Sequence, residues 1–204
     1  MKLYHFPSPN PQKVTFALKE LGLDCEIAEL DLARGEQRQD TFLALNPFGR
    51  VPVLTDGDLT ITESHAILAY LGEKTGKLWP SSIAECAEAL QWLFVLSQHI
   101  MPAAGQVALR IRAKVMGIPL DEATVAQGEQ ALQPVIAIID RRLATNRWML
   151  GADFGLVDCA YCPVLNVIEK AGFSLAGFPN AGAYLNACRA RPAWKEVPKL
   201  PALE

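Results

Sequence analysis

The sequence lacks an excess of positive charge. Its 19 lysines and arginines stand against 22 aspartates and glutamates, which gives a formal net charge of −3 at pH 7. A surface without a net positive field attracts neither a phosphate backbone nor an anionic membrane. The sequence also lacks any uninterrupted run of the ~18 apolar residues that a membrane-spanning helix needs. We therefore expect neither nucleic acid nor a membrane as a partner.

The first residues lack the apolar segment of a secretory signal. Pro7, Pro9 and Asn10 interrupt the N-terminal residues before such a segment could form. The five cysteines are odd in number, and in a reducing compartment the default state of a cysteine is the free thiol. The sequence therefore predicts a cytoplasmic protein without disulfides.

The patterning along the chain changes once. The 204 residues are 50% hydrophobic and 20% charged, which is typical of a folded chain with one large domain or two small ones. Residues 1–75 mix strand-type runs with helical ones, and residues 74–82 hold glycine, proline and serine, as interdomain linkers do. From residue 83 onward only helical patterns remain. The sequence therefore predicts an α/β domain over residues 1–75 and an all-α domain over residues 83–204.

Periodicity and end signals predict the individual elements. Pro11 suits the first turn of a helix, Gly22 suits its end, and the Asp56-Gly57 pair is typical of a β-hairpin. Pro102 is expected to kink or end the first long helix of the second domain. The strand-type runs are 2–5, 25–29, 51–54 and 59–61, and the helical runs are 11–21, 84–116, 121–145, 156–171 and 181–189.

Val51-Pro52 opens a strand-type run with a residue that cannot join a central ladder. One interpretation is an edge strand. The other is a cis Val51-Pro52 bond, which for proline lies only ~0.5–1 kcal/mol above trans and would leave the backbone groups of Val51 free. Those groups could pair with an extended, peptide-like ligand, as in strand addition.

Glu63 and Ser64 begin a helix directly after the hairpin. One interpretation is simple helix capping by Thr62 or Ser64. The other is a ligand site, in which the Ser64 hydroxyl and the N–H groups of the helix N-terminus hold a carboxylate while Glu63 takes an ammonium. An α-amino acid end would satisfy both.

Ser8 and Asn10 lie at the turn between the first strand and the first helix. Serine and asparagine are ordinary turn and cap residues, which is one interpretation of this cluster. The other is that the Ser8 hydroxyl, the Asn10 amide and the helix N-terminus point at one anionic atom.

The order of these motifs resembles that of a known family. The motifs SPNPQKV, NPFGRVPVL and TESHAILAYL, with the hairpin before the last and a linker and helices after it, resemble the cytosolic glutathione transferases over both domains. The SPN loop and the PAAGQ segment are similar to the bacterial nu-like members, and Ser8 lies where theta-like members carry their catalytic serine. In the motif FGLVD, Gly155 stands where the family has a capping hydroxyl residue.

The resemblance implies a fold, an activity and a set of site residues. The fold is a thioredoxin-like N-terminal domain followed by an all-helical domain with a hydrophobic pocket. By this likeness glutathione is the co-substrate, Ser8 and Asn10 are the catalytic residues that activate its thiol, and no metal is needed. The residues that bind glutathione are Gln37 and Arg50 at the glycine carboxylate, Val51 and cis-Pro52 at the cysteinyl backbone, and Glu63 and Ser64 at the γ-glutamyl end.

The remaining reactive side chains suggest no second centre. Cys159 and Cys162 have the spacing of a redox motif, but they fall inside a predicted helix, where core packing is the favoured interpretation. The three histidines, His5, His65 and His99, have no metal-ligand spacing with cysteines or carboxylates.

The sequence thus predicts a glutathione transferase that presents a glutathione thiolate to a small hydrophobic electrophile. The alternative enzymatic function is glutathione-dependent disulfide reduction or peroxidase chemistry, which uses the same thiolate. A non-catalytic interaction module with the transferase fold is the third hypothesis. The resemblance and the long apolar helices also predict a homodimer.

Overall fold

The computed structural model describes residues 1–199, and its N-terminal part is built on a four-stranded mixed sheet. The strands lie in the order β2-β1-β3-β4; β1 pairs parallel with β2 and antiparallel with β3, and β3 pairs antiparallel with β4. The strands are β1 (Lys2–His5), β2 (Glu26–Glu29), β3 (Val53–Asp56) and β4 (Leu59–Thr62). The hairpin at Asp56-Gly57 is confirmed, with Gly57 at a φ of 59°.

Two long helices accompany this sheet. Helix α1 (Pro9–Leu21) crosses between the parallel strands, and α3 (Ser64–Thr75) follows β4 and packs against α1. Gly22 ends α1 in the left-handed conformation, where its N–H reaches the carbonyls of Leu18 and Lys19. A 3₁₀ turn (Glu36–Arg38) and the short helix α2 (Asp40–Leu43) precede β3, and the sequence pattern predicts neither.

The second part is helical, as expected, but its first long helix is not uniform. Three α-helical segments and a π-helical turn, Leu96–Ile100, replace the single run predicted over residues 84–116. Pro102 falls in the first turn after the π-helical turn, where a missing N–H is harmless. The helices of this part are α4 (Ile83–Val95), α5 (Met101–Val107), α6 (Leu109–Met116), α7 (Glu122–Leu143), α8 (Leu156–Lys170), α9 (Pro179–Ala190) and α10 (Pro192–Lys195).

Helix α1 joins the two parts because the second part covers its outer face. The fully buried ring of Phe16 lies 5.7 Å from the ring of Phe154 and 5.3 Å from that of Trp194. Burying one such side chain contributes about 1.5–3 kcal/mol. At the rim of this contact the Arg191 guanidinium donates to both carboxylate oxygens of Glu20, at 2.5 and 2.6 Å. The thioredoxin-like domain and the helical domain therefore share one core.

The start of α8 accounts for the glycine in the motif FGLVD. Asp158 accepts hydrogen bonds of 2.8 Å from the backbone N–H groups of Gly155 and Met149, so the capping carboxylate of the motif is in place. A Cβ atom on Gly155 would lie 3.1 Å from the carbonyl oxygen of Leu78 in the linker, closer than most Cβ contacts. The linker therefore packs directly on the backbone that caps α8. Among residues 1–199 no helix is long and apolar enough to span a membrane.

Candidate active site

Strand pairing brings three of the predicted segments to one end of the sheet. Tyr4 of β1 lies opposite Val53 of β3, and Val53 lies opposite Thr62 of β4. The residues that follow β1, precede β3 and follow β4 therefore lie side by side. Both α1 and α3 also begin at this end, so two helix N-termini face the same region, and neither has an acidic residue in its first turn.

Ser8 is the N-cap residue of α1, but its side chain does not cap the helix. Its backbone is extended, with φ −132° and ψ 163°, and its hydroxyl makes no hydrogen bond to the N–H groups of the first turn. Asn10 lies within that first turn, and both side chains are partly exposed. Ser8 therefore occupies the N-cap position, as the turn and cap interpretation predicts, but its hydroxyl does not cap the helix and can donate to a ligand.

The Val51-Pro52 peptide bond is cis. Pro52 lies just before β3, and β3 is an inner strand between β1 and β4. The edge-strand interpretation of this proline is therefore wrong. Val51 is partly exposed beside the end of the sheet, next to the segment that begins α3.

Glu63 is the N-cap residue of α3, and Ser64 is its first residue. Glu63 has a φ of 66°, a conformation uncommon for a residue with a side chain, and its side chain is exposed and makes no capping bond. Ser64 is only 6% exposed. Capping by Thr62 or Ser64 is therefore wrong, and the exposed Glu63 carboxylate lies next to the N–H groups that begin α3.

Two loops contact each other here: Gln37 lies in the first, within its 3₁₀ turn, and Arg50 lies in the second, before β3. Gly49, at a φ of 60°, is close to the first loop, since a Cβ atom there would lie 3.0 Å from the backbone oxygen of Gln37. The Asn46 amide donates to the carbonyl of Arg50 at 2.7 Å and so holds the second loop. The Arg50 side chain is exposed, whereas the Gln37 amide donates to the carbonyl of Leu32 at 3.4 Å.

A pair of nitrogen bases, the buried Lys13 and the half-buried His65, lies behind this site, and the sequence analysis missed it. Lys13 of α1 is 1% exposed, and its Nζ lies 3.0 Å from Nε2 of His65 in α3. Burial lowers the pKa of Lys13 to about 7, opposed by the charge of Glu63. Burial, and then the charge of Lys13, lowers the pKa of His65 to about 3. The only signal in the sequence is that Lys13 precedes the buried positions Val14 and Ala17 on α1.

The two cysteines with redox-motif spacing lie in the core, as expected, and so does His5. Cys159 and Cys162 are fully buried in α8, and burial raises the pKa of the Cys159 thiol. His5 is buried in β1, and burial lowers its pKa to about 4. Within residues 1–199 no cluster of three histidines, cysteines or carboxylates could hold a metal ion.

Two cavities lie away from the site. The larger, of about 390 Å³, lies between the linker and the segment before α8, and the smaller, of about 240 Å³, lies between the ends of α7 and α9. Neither is lined by a predicted site residue.

Comparison with known proteins gives the same assignment for both parts of the chain. Residues 1–73 match the family model of the glutathione S-transferase N-terminal domain, and residues 86–192 match that of the glutathione S-transferase C-terminal domain. Glutathione S-transferase 3 of Zea mays is 38% identical over 97% of this chain and 92% of its own length. The disulfide-bond oxidoreductase YfcG of Escherichia coli is 31% identical over 94% of this chain and 91% of its own length.

Solved structures agree with these relatives. Glutathione transferase F7 from Populus trichocarpa superposes with a TM-score of 0.88, at 30% identity and with 96% of each chain covered. A glutathione transferase from Burkholderia graminis, solved with two glutathione molecules per subunit, gives 0.86 at 29% identity over 99% of this chain and 86% of its own. The thioredoxin-like sheet, the helical domain and these matches together place the chain in the glutathione S-transferase family.

Proposed function

We propose that this glutathione transferase binds glutathione across the end of the sheet and activates its thiol with Ser8. The observation that carries the proposal is the convergence of the Ser8 turn, the Val51-Pro52 segment and the Glu63-Ser64 helix start at one sheet end. Each segment offers a group that one part of a tripeptide needs.

The γ-glutamyl end of the ligand is an α-amino acid, and it suits the start of α3. The exposed Glu63 carboxylate accepts from the ammonium, while the Ser64 hydroxyl and the N–H groups of the helix hold the carboxylate. The backbone N–H and carbonyl of Val51 pair with the cysteinyl residue, as in strand addition. Gln37 and Arg50 reach the glycine carboxylate.

The chemistry requires that the thiol ionise at neutral pH. A free thiol has a pKa of about 8.5, so lowering it by about two units takes ~2.7 kcal/mol. One charge-assisted hydrogen bond supplies about 1.5–3 kcal/mol, and a helix N-terminus adds about 0.3–1 kcal/mol. The Ser8 hydroxyl and the start of α1 are therefore sufficient, with Asn10 assisting. The thiolate then attacks a small hydrophobic electrophile.

Calorimetry with glutathione tests the binding, and a substrate panel tests the reaction. The panel compares an aryl halide, a hydroperoxide and a mixed disulfide, each with glutathione. The proposal expects binding, and turnover that is fastest with the aryl halide. No heat of binding at millimolar glutathione would contradict it and would favour the interaction module.

The second candidate function is glutathione-dependent disulfide reduction. It is favoured by the similarity to the Escherichia coli protein, which is named a disulfide-bond oxidoreductase, together with the SPN loop. Fastest turnover with the mixed disulfide would favour this function. It would also favour a nu-like rather than a theta-like placement.

We also propose a homodimer that forms through α4. Three large apolar residues, Ile83, Leu90 and Phe94, are 91%, 42% and 63% exposed, and their spacing of seven and four residues puts them on one side of the helix. Phe48, in the loop before β3, is 76% exposed. Light scattering should give about twice the chain mass of 22.3 kDa, and the mass of a single chain would refute the dimer.

The five free thiols suit a reducing, cytoplasmic compartment.

A further inference from the structure

Lys13 brings a titratable cation into the interior beside the site. Its Nζ lies 3.0 Å from Nε2 of His65 in α3 and 4.0 Å from Sδ of Met101 in α5. The side chain is 1% exposed, and neither partner is a carboxylate. Lysine is almost never fully buried unless it is paired with an opposite charge. Packing alone therefore does not explain why a lysine without an acidic partner is buried at this position.

The pair holds one proton, and that proton is on Lys13. Two like charges 3.0 Å apart in a buried site cannot both be present, and the pKa of His65, lowered to about 3, keeps its ring neutral. When Lys13 is protonated, its ammonium donates to Nε2 of His65, an arrangement that requires the tautomer with the ring proton on Nδ1. Since burial lowers the pKa of Lys13 to about 7, the ammonium is present below neutral pH and half-populated near it.

Few other charges act on this ammonium. Glu63, at the N-cap of α3, is the acidic group among residues 1–199 whose charge opposes the effect of burial on Lys13. Helices α8 and α10 also pack on α1, but Asp158 of α8 accepts its bonds from Met149, Gly155 and Tyr184. Lys195 of α10 is exposed. The ammonium is therefore not neutralised by an ion pair.

The contact with His65 places this charge near the thiol site, because His65 directly follows Ser64 at the start of α3. Lys13 is five residues from Ser8, which corresponds to about 7.5 Å of rise along α1. Side chains on an α-helix lean toward its N-terminus, and Ser8 is at the N-terminus of α1. A sulfur anion held by the Ser8 hydroxyl would lie within range of an ammonium that solvent does not screen.

We propose that Lys13 is a further residue of thiol activation, whose buried ammonium, held by His65, stabilises through space the glutathione thiolate bound at Ser8. The inference rests on the proposed function of Ser8. Two unit charges about 10 Å apart at an effective dielectric constant of about 20 interact strongly enough to move the pKa of the thiol by about one unit. Without a thiolate nearby, Lys13 loses its proton near pH 7, and a bound thiolate raises the pKa of Lys13 in return. This help is therefore fullest below neutral pH and fades as the pH rises above it.

The test is the ionisation of glutathione bound to the purified enzyme, followed by thiolate absorbance against pH. The variants Lys13→Met and Lys13→Gln remove the charge with side chains of similar length. The matched control is Lys19→Met, which removes a lysine that lies on the same helix but is exposed and paired with Glu196. Affinity for S-methylglutathione, which has no ionisable thiol, reports on the integrity of the site.

Both Lys13 variants should raise the apparent pKa of the bound thiol by about one unit, and the control should leave it unchanged. Affinity for S-methylglutathione should stay within about twofold in all of them. The wild-type titration should be broader than a single ionisation, because each group changes the pKa of the other. This measurement needs no variant.

An unmoved thiol titration in the Lys13 variants, with S-methylglutathione still bound, would overturn the inference and leave the proposed function standing. If neither Lys13 variant folds, the wild-type titration decides the matter: a curve with the slope of a single ionisation would overturn the inference. Failure of the wild type to bind glutathione would instead refute the proposed function itself.

Discussion

Ser8→Ala is the substitution that most directly separates thiol activation from folding. The Ser8 hydroxyl makes no hydrogen bond to the first turn of α1, so its removal takes nothing from the helix. A hydroxyl donating to a sulfur anion is worth about 2 kcal/mol, which corresponds to about 1.5 pKa units. The helix N-terminus and Asn10 remain in the variant, so we expect the thiolate to be weakened but not lost.

The assay is thiolate absorbance of the glutathione complex against pH, together with turnover at neutral pH. If the wild-type enzyme holds the thiol at a pKa of about 6.5, the variant should hold it at about 8.0, and at pH 6.5 the ionised fraction should fall from about half to about 3%. At pH 7 the same shift lowers the ionised fraction about eightfold, and turnover should slow by about that factor. Asn10→Ala should have a smaller effect, because an amide donor is weaker than a short hydroxyl bond to the anion.

A capping serine elsewhere in the chain provides the matched control. Ser82 accepts a hydrogen bond of 3.2 Å from the backbone N–H of Glu85 and so caps α4. Ser82→Ala should lower the free energy of unfolding by about 0.5–2 kcal/mol and leave the thiol titration unchanged. Ser8→Ala should do the reverse. An unmoved titration in Ser8→Ala, with a large shift in Asn10→Ala, would refute the assignment of Ser8 as the main donor.

Four further outcomes are expected. Ser64→Ala should weaken glutathione binding by about 1.5–3 kcal/mol in calorimetry, because a hydrogen bond to a carboxylate is lost; unchanged affinity would remove Ser64 from the site. His5→Leu should reduce the acid sensitivity of folding. In the folded state buried His5 has a pKa of about 4 and stays neutral, whereas in the unfolded state it takes up a proton below about pH 6.5. The stability of the wild type therefore falls as the pH drops from 6.5 toward 4. Urea titrations at pH 7.5 and 5 measure this, and an equal difference between the two proteins at both values would contradict it. Asp158→Asn should lower the free energy of unfolding by about 1–3 kcal/mol in urea titration, since an amide cannot accept from all three of the present donors; unchanged stability would contradict this role. Phe94→Glu should shift light scattering toward the mass of one chain, and a variant that keeps the wild-type mass would exclude this face as the interface.

The sheet and its hairpin were predictable because local rules decide them. The run at residues 59–61 and the Asp56-Gly57 turn need only short-range information, and the structure differs at the ends of these strands by one or two residues. The crossover helix accounts for the parallel pair β1–β2 and the hairpin for the pair β3–β4. The pair β1–β3, which puts Leu3 opposite Leu54, is a long-range contact that neither local rule gives. The π-helical turn at Leu96–Ile100 has no such marker, because an extra residue in a helical turn leaves the surrounding residue types unchanged.

The sequence indicates the three segments that meet at the end of the sheet, but not their local conformations. Ser8 and Glu63 are both N-cap residues, and residue type alone favours Ser8 as a side-chain cap. The structure instead turns Glu63 to a positive φ and leaves the Ser8 hydroxyl without a capping bond. Tertiary structure decided both outcomes, since each turn is fixed by the strand that precedes it and by the helix that follows.

Lys13 escaped the sequence analysis for a different reason. A lysine in an amphipathic helix is assigned to the solvent side by default, because the average lysine is exposed. Its partner His65 lies 52 residues away, on the helix that packs across α1, and neither residue type indicates the other. Burial of Lys13 follows only once α3 and α5 are both placed against α1. The packing that buries the lysine also removes the solvent screening that would weaken its charge. Burial is therefore both the reason that the sequence did not indicate Lys13 and the reason that its charge acts strongly in the proposed mechanism.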